Sequence, residues 1–357
     1  MDFSTIRGWN DGRQADALGC FLKTAERAVE KPHSTKSLGA DGQALADIGQ
    51  KALEQFGNRS DISDLAARSF FEENFQPFEI RDQGFITGYF EPELLASRTR
   101  SDEYSVPIYR RPPDLADIND DTRPNEMDPY FMFAREEQGN FSSYHNRREI
   151  NQGALDGRGL EIFWLKDPVD CYFMHIQGSA RLILTNGTTQ RVSYAAKSGH
   201  PYSAIGKYLV SINAMKLEDV TMATLKQWLR DNPTQMFAAM EENQSYIFFQ
   251  ETILDDPDLG PVAAGGVPLT SGCSLAIDHK MHTFGTPIFV NSQDSLPGEE
   301  NPFSRLMIAQ DTGSAIVGSA RGDVFIGSGD RAGEIAGAIK FGAEFIALFP
   351  RNQSVAQ

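Results

Sequence analysis

The segment DTGSAIVGSARGDVFIGSG spans residues 311–329. Two aspartates, Asp311 and Asp323, stand twelve residues apart among small and β-branched residues. Asp is a poor strand former, and a buried carboxylate is costly unless paired or neutralised. Two readings are open: a pair of surface turns, or two carboxyl groups held on a rigid β-scaffold for acid–base work. Asp278 in LAIDHK repeats the setting, so three aspartates in the last eighty residues each meet an apolar run. A strand end is a good platform for a catalytic carboxyl. Asp before Gly or Thr is also an ordinary turn former.

In and around this segment, PVAAGGVPLT, CSLAID, TPIFV, RLMIAQD, SAIVG, DVFIG and FIALFP all read as strands, interrupted by one helix around AGEIAGAIKFG. Short strands with non-helical connections predict a barrel or sandwich. The first seventy-five residues are different. Leu18, Phe21, Leu22, Ala25, Ala28 and Val29 recur at helical spacing, as do Leu45, Ile48, Leu53 and Phe56 between an N-cap at Asp41 and Gly57. Asp61 is the expected cap of a third helix carrying Leu65, Phe70 and Phe71, with Pro77 ending the stretch.

FEIRDQGFITGYFEP and YSVPIYRRPPDL then read as short β-segments, and residues 112–128 as a Pro- and Asp-rich loop. EIFWLKDPVDCYFMHIQGSARLIL and TTQRVSYAAK continue strand-like, helix returns after Pro201, and MATLKQWLRDNP is a short amphipathic helix. The shift near residue 100 and the return near 243 predict a discontinuous first domain, 1–100 with 243–357, and an inserted β-rich domain, 101–242.

The net charge of −16 speaks against a nucleic-acid partner, which needs a basic footprint. The pairs Arg110–Arg111 and Arg147–Arg148 remain available for a limited anionic contact. Cys20, Cys171 and Cys273 form neither a disulfide framework nor a metal-binding spacing, and His279 with His282 lacks further ligands. No apolar run approaches the ~20 residues of a membrane span. The N-terminus shows no secretory h-region, so a cytosolic protein and a mature form with an added Met are both open.

DTGS matches the active-site tetrapeptide of pepsin-like proteases, but those use two such aspartates sharing a proton, and this chain has one DTG. Glycan chemistry fits better, because glycosidic cleavage needs a carboxylic acid and usually a second carboxylate. Tyr89, Phe90, Tyr144, Tyr172, Tyr194 and Tyr202 could stack on sugar rings, and Gln177, Ser179, Thr185, Asn186 and Asn146 could bond hydroxyl or N-acetyl groups.

The chain resembles the membrane-bound lytic murein transglycosylase A family along nearly its whole length. The resemblance runs through GWNDGRQADALGCF, ITGYFEP, VPIYRRP, YHNRREI, HIQGSARL, YAAKSGHPYSAIGKYL, NQSYIFF, VPLTSGCSLAIDHK and AQDTGSAIVGSARGDVFIGSG. It implies a mainly β protein with N-terminal helices: a double-psi β-barrel built from both chain ends, a smaller inserted β-domain, and a groove between them. It implies non-hydrolytic cleavage of peptidoglycan glycan strands to 1,6-anhydro-N-acetylmuramic ends, with no metal or organic cofactor. By the same resemblance Asp323 is the acid/base and Asp311 its assisting carboxylate. Tyr89, Gln177, Ser179, Tyr194, Lys197, Asp278 and Gly313 form the implied substrate-contact set.

Asp323 would start protonated, held so by burial or by a negative Asp311. The family implies a periplasmic, outer-membrane-associated location and leaves cell-wall enzyme complexes open as partners. No lipobox cysteine is visible, and Cys20 falls in a predicted helix. A hydrolytic glycosidase using an Asp pair and a non-catalytic glycan-binding protein are the rival readings.

Overall fold

The computed structural model describes residues 1–59, 61–253 and 256–351 of the 357-residue chain. Helices α1 (Gln14–Glu30), α2 (Gly42–Phe56) and α3 (Asp64–Asn74) come first. The Asp41 carboxylate caps α2, accepting from the Ala44 amide at 2.8 Å, and Gly57 closes it. The cap of α3 is Ser63, not Asp61: its hydroxyl accepts from Ala66 N at 3.2 Å. Phe21 is buried against Phe70, Phe71 and Phe75, with ring centroids 6.0–6.5 Å apart. Each such ring is worth ~1.5–3 kcal/mol over leaving it exposed.

Helix α3 gives way directly to β1 (Phe75–Ile80), so Pro77 does not end a helix but lies in a strand. Among the described residues that strand pairs on one side only, with the strand Lys340–Pro350, and an unpaired side is where a residue without N–H is tolerated. Strand β2 (Phe85–Glu91) follows.

The chain divides into two compact units, Met1–Phe90 with Asp256–Gln357, and Glu91–Asp255. These junctions lie about ten residues from the expected ones, because the flanking segments are strands of the second unit. That unit contains β3 (Glu93–Ser97), β4 (Val106–Tyr109), β5 (Leu115–Asp117), β6 (Phe133–Glu137), β7 (Asn140–Ser142), β8 (Glu161–Leu165), β9 (Ser179–Leu184), β10 (Thr189–Lys197) and β11 (Ile247–Thr252). Its larger sheet runs β11-β10-β9-β3-β8-β4, and β5-β6-β7 make a smaller one. Helices α4 (Arg147–Asn151), α5 (Pro168–Gln177), α6 (Ile205–Ser211), α7 (Met222–Asp231) and α8 (Pro233–Glu241) complete it.

Helix α5 corrects the strand-like reading of DPVDCYFMHIQ: Asp167 caps it, accepting from Val169 N at 2.7 Å, and Pro168 occupies its first turn. Glu91, fully buried, accepts from Arg191 Nε at 2.7 Å and Arg181 Nε at 2.8 Å.

Back in the first unit, β12 (Ser274–Ile277), β13 (Pro287–Ser292), β14 (Ser304–Asp311), β15 (Arg321–Ser328), α9 (Asp330–Ala338) and β16 (Lys340–Pro350) follow. Around the sheet the order is β16-β13-β14-β12-β15-β2, and β2 pairs again with β16, closing a six-stranded barrel with β1 appended. Successive strands β14 and β15 straddle β12, pairing with it parallel and antiparallel respectively. This is the crossing of a psi loop, and the unit is the double-psi β-barrel. SAIVG is a turn on that crossing instead of a strand, and PVAAGGVPLT is loop apart from the single bridge Val262–Pro268. The barrel interior is apolar, with Leu275, Ile277, Ile288, Met307 and Val324 fully buried.

Among the described residues, no helix is long and apolar enough to cross a membrane.

Candidate active site

The psi crossing answers why two aspartates stand twelve residues apart. Ala276 of β12 is the register partner of Asp311 on one side and of Asp323 on the other. Two strand spacings place their Cα atoms about 10 Å apart. Asp311 is the last residue of β14 and Asp323 the third of β15, so both carboxyl groups rise from hydrogen-bonded backbone. Both side chains are half-buried.

Strand β2 supplies the partners. The Thr87 hydroxyl donates to Asp323 Oδ1 at 2.6 Å, and the Tyr89 hydroxyl donates to Asp311 Oδ2 at 2.9 Å. Residues two apart on a strand share a face, so one strand addresses both carboxyl groups. Arg321, two residues before Asp323, gives Nη2–H to Thr87 Oγ1 at 2.6 Å. The Tyr89 ring lies 5.3 Å from that of Phe325. Between Thr87 and Tyr89, Gly88 lets α9 pack close: a Cβ there would meet Ala336 Cα at 2.8 Å and Ile339 Cδ1 at 2.8 Å.

Burial is the main cause that pushes the Asp323 carboxyl up to about 6. The Thr87 hydrogen bond and the Arg321 charge oppose that push, and the Asp311 charge adds the smallest contribution. Burial also raises Asp311, against hydrogen bonds from Thr312, the Ala264 amide and Tyr89. The Tyr89 phenol is driven well above its ordinary value, by burial first and the Asp311 charge second. The site thus holds an acid protonated far nearer neutrality than a free Asp.

The other expected site residues are placed differently. Asp278 uses Oδ1 to accept from Lys280 N at 3.0 Å and Oδ2 to accept from Gly318 N at 2.9 Å. With both oxygens engaged and 8% exposure, it pins the 312–320 loop. Gly313 is exposed in that loop, where its carbonyl accepts from Ile316 N at 2.9 Å. His282 donates from Nε2 to the Ser319 carbonyl at 2.6 Å and lies within this scaffold. No group of three or more metal-ligating side chains is present among the described residues.

Gln177, Ser179, Tyr194 and Lys197 belong to the second unit. Gln177 ends α5, and Ser179, buried, opens β9. Tyr194 is 42% exposed, and Lys197 Nζ lies 3.3 Å from the Tyr130 hydroxyl and over its ring. Tyr144 and Tyr172 are buried in the core, which removes both from the sugar-contacting candidates, and Asn146 caps α4 through its Oδ1. Thr87 and Arg321 were not among the expected residues. The signal for them was the two-residue spacing from Tyr89 and Asp323.

Comparison with known proteins bears on this arrangement. Residues 85–250 match the MltA specific insert domain and residues 273–348 the 3D domain. The membrane-bound lytic murein transglycosylase A of Escherichia coli (strain K12) is 30% identical over 337 residues, 91% of this chain and 81% of that protein. The crystal structure of a membrane-bound lytic murein transglycosylase from Agrobacterium tumefaciens is similar with a TM-score of 0.91 at 41% identity, covering 98% of this chain and 97% of that one. MltA from Neisseria gonorrhoeae, in its monoclinic form, gives 0.80 at 32% identity over 99% and 92%.

Proposed function

This chain belongs to the membrane-bound lytic murein transglycosylase A family, and from that premise we propose how its two aspartates divide the work. The protein cleaves the β-1,4 bond between N-acetylmuramic acid and N-acetylglucosamine in peptidoglycan, and Asp323 carries both proton transfers. The supporting observation is the Asp323 carboxyl itself: half-buried, hydrogen-bonded to Thr87, and raised to about 6.

In the first step protonated Asp323 gives its proton to the glycosidic oxygen. The bond from that oxygen to muramic C1 breaks, its electron pair stays with the oxygen, and N-acetylglucosamine leaves as an alcohol. In the second step the Asp323 carboxylate takes the proton of the muramic C6 hydroxyl while that oxygen bonds to C1. A 1,6-anhydro ring forms, Asp323 is protonated again, and no water is consumed. The nucleophile is tethered within the same sugar, which brings the entropy advantage of an intramolecular reaction.

Asp311 assists from across β12. It fixes Tyr89 and contributes a small upward push on Asp323. Asp278 and Gly313 act through the loop they hold, whereas Tyr194, Lys197, Gln177 and Ser179 contribute to glycan binding. The place of action is the periplasm.

The reading is tested by incubating purified sacculi with the wild type and with Asp323→Asn. Soluble anhydro-muropeptides from the wild type and none from the variant are expected. Equal release by both would remove Asp323 from the chemistry. Sacculi bound by both but cut by neither would leave a glycan-binding protein.

A further inference from the structure

The second unit has a cleft of about 460 Å³, within the size range of small-ligand sites. Arg110, Arg111, Ile162, Ala195, Gln250 and Glu251 are among its lining residues. It opens where the six-stranded sheet nearly closes on itself: Arg110, just past β4, bridges to Phe249 of β11, and its amide donates to Leu160 O at 2.8 Å. The register of β10 against β11 slips between Tyr194 and Ala196, leaving the short side chain of Ala195 on the wall.

The charges of the cleft do not cancel. Glu251 is held by both terminal nitrogens of Arg98, at 2.8 and 3.1 Å. Arg111 is committed to the Leu115 carbonyl and to Asp117 Oδ2, the latter at 2.6 Å. Arg110 is exposed, and among the described residues no carboxylate lies within ion-pair distance of it. A guanidinium on pinned backbone, facing a polar cleft in a chain of net charge −16, is built to receive an anion in two-point fashion.

We infer that this cleft is a carboxylate-recognition site for muramyl units, with Arg110 as the carboxylate receptor and the Gln250 carboxamide bonding a neighbouring amide. The inference rests on the peptidoglycan reading above. Muramyl units carry such a group in two forms: the lactyl carboxylate of a strand without stem peptides, or a carboxylate of the stem itself. Uncharged N-acetylglucosamine offers neither.

The test is binding, measured by NMR titration of the full chain with three probes that cannot be cleaved: N-acetylmuramic acid, a muramoyl peptide with its lactyl group amidated, and N-acetylglucosamine. Arg110→Gln, with unchanged melting behaviour, is expected to weaken at least one acidic probe by roughly tenfold or more and leave N-acetylglucosamine unaffected. Loss confined to N-acetylmuramic acid assigns the lactyl source, and loss confined to the muramoyl peptide assigns the stem. Equal affinities of wild type and variant for both acidic probes overturn the inference, as does equal weakening of all three, or no binding of either acidic probe to the wild type. Turnover plays no part in this measurement. A protein that fails to release anhydro-muropeptides therefore refutes the catalytic reading without touching the binding result.

Discussion

Replacing Asp323 by Asn isolates the energetic consequence of placing a carboxyl group where burial opposes its ionisation. Its folded value of about 6 stands about two pH units above the ordinary 3.8. Each unit corresponds to about 1.36 kcal/mol, so ionised Asp323 costs the fold at most about 3 kcal/mol, an upper bound because the side chain is half-buried. The sign follows from proton counting. Between about 4 and 6 the folded chain binds more protons at this site than the unfolded one, so the wild type loses stability as pH rises through that window.

Asn is nearly isosteric, stays neutral, and keeps an oxygen to accept the Thr87 hydroxyl. Asp323→Asn is therefore expected to be more stable than the wild type above pH ~6, by up to about 3 kcal/mol, and to lose that gain as pH falls towards ~4. Activity falls by at least ~10²-fold at every pH, the lower end of what a positioned acid–base contributes. Urea unfolding of both proteins at several pH values, beside anhydro-muropeptide release, reads both effects. A stability difference that does not vary with pH would refute the raised Asp323 value and the reasoning built on it.

Three further outcomes follow from the same geometry. Thr87→Val removes the hydrogen bond that lowers Asp323, so the fall in kcat/KM on the alkaline side moves to higher pH; it also deprives Arg321 of an acceptor, at about 1–3 kcal/mol in a melting experiment. Asp311→Asn moves that alkaline fall slightly to lower pH, because the Asp311 charge is the smallest of the causes acting on Asp323, and an unmoved profile would end the proposed coupling. Glu91→Gln leaves Arg181 and Arg191 facing a neutral group in a fully buried setting, with an expected loss of about 3–5 kcal/mol by chemical denaturation.

The strands of the barrel and both principal aspartates were legible because apolar runs and an Asp at their margins are local signals. The closure of the barrel was legible only through the family resemblance, because no local pattern carries it. It depends on β14 and β15 straddling β12 and on β2 returning to β16, pairings between residues far apart in the chain. Ala276 has nothing in its neighbours to say that it would stand between the two acids.

Thr87 and Arg321 were within reach, since strand periodicity already placed them on the faces of Tyr89 and Asp323. Helix α5 was missed despite Asp167–Pro168, a helix-start pair, because the apolar flanks on both sides dominated the reading. Asp61 and Ser63 are both good caps, and which one wins depends on where the helix axis must lie to bury Phe70 and Phe71. Tyr144 and Tyr172 carried the signature of sugar platforms, but packing placed them inside.

Whether Asp323 drives an intramolecular ring closure instead of admitting water is decided by digesting sacculi in water enriched in heavy oxygen. Mass spectrometry of the soluble products should find anhydro-muramic ends, lighter by one water than reducing ends and carrying no heavy oxygen at C1. Reducing ends labelled at C1 would make the protein a hydrolase on the same barrel.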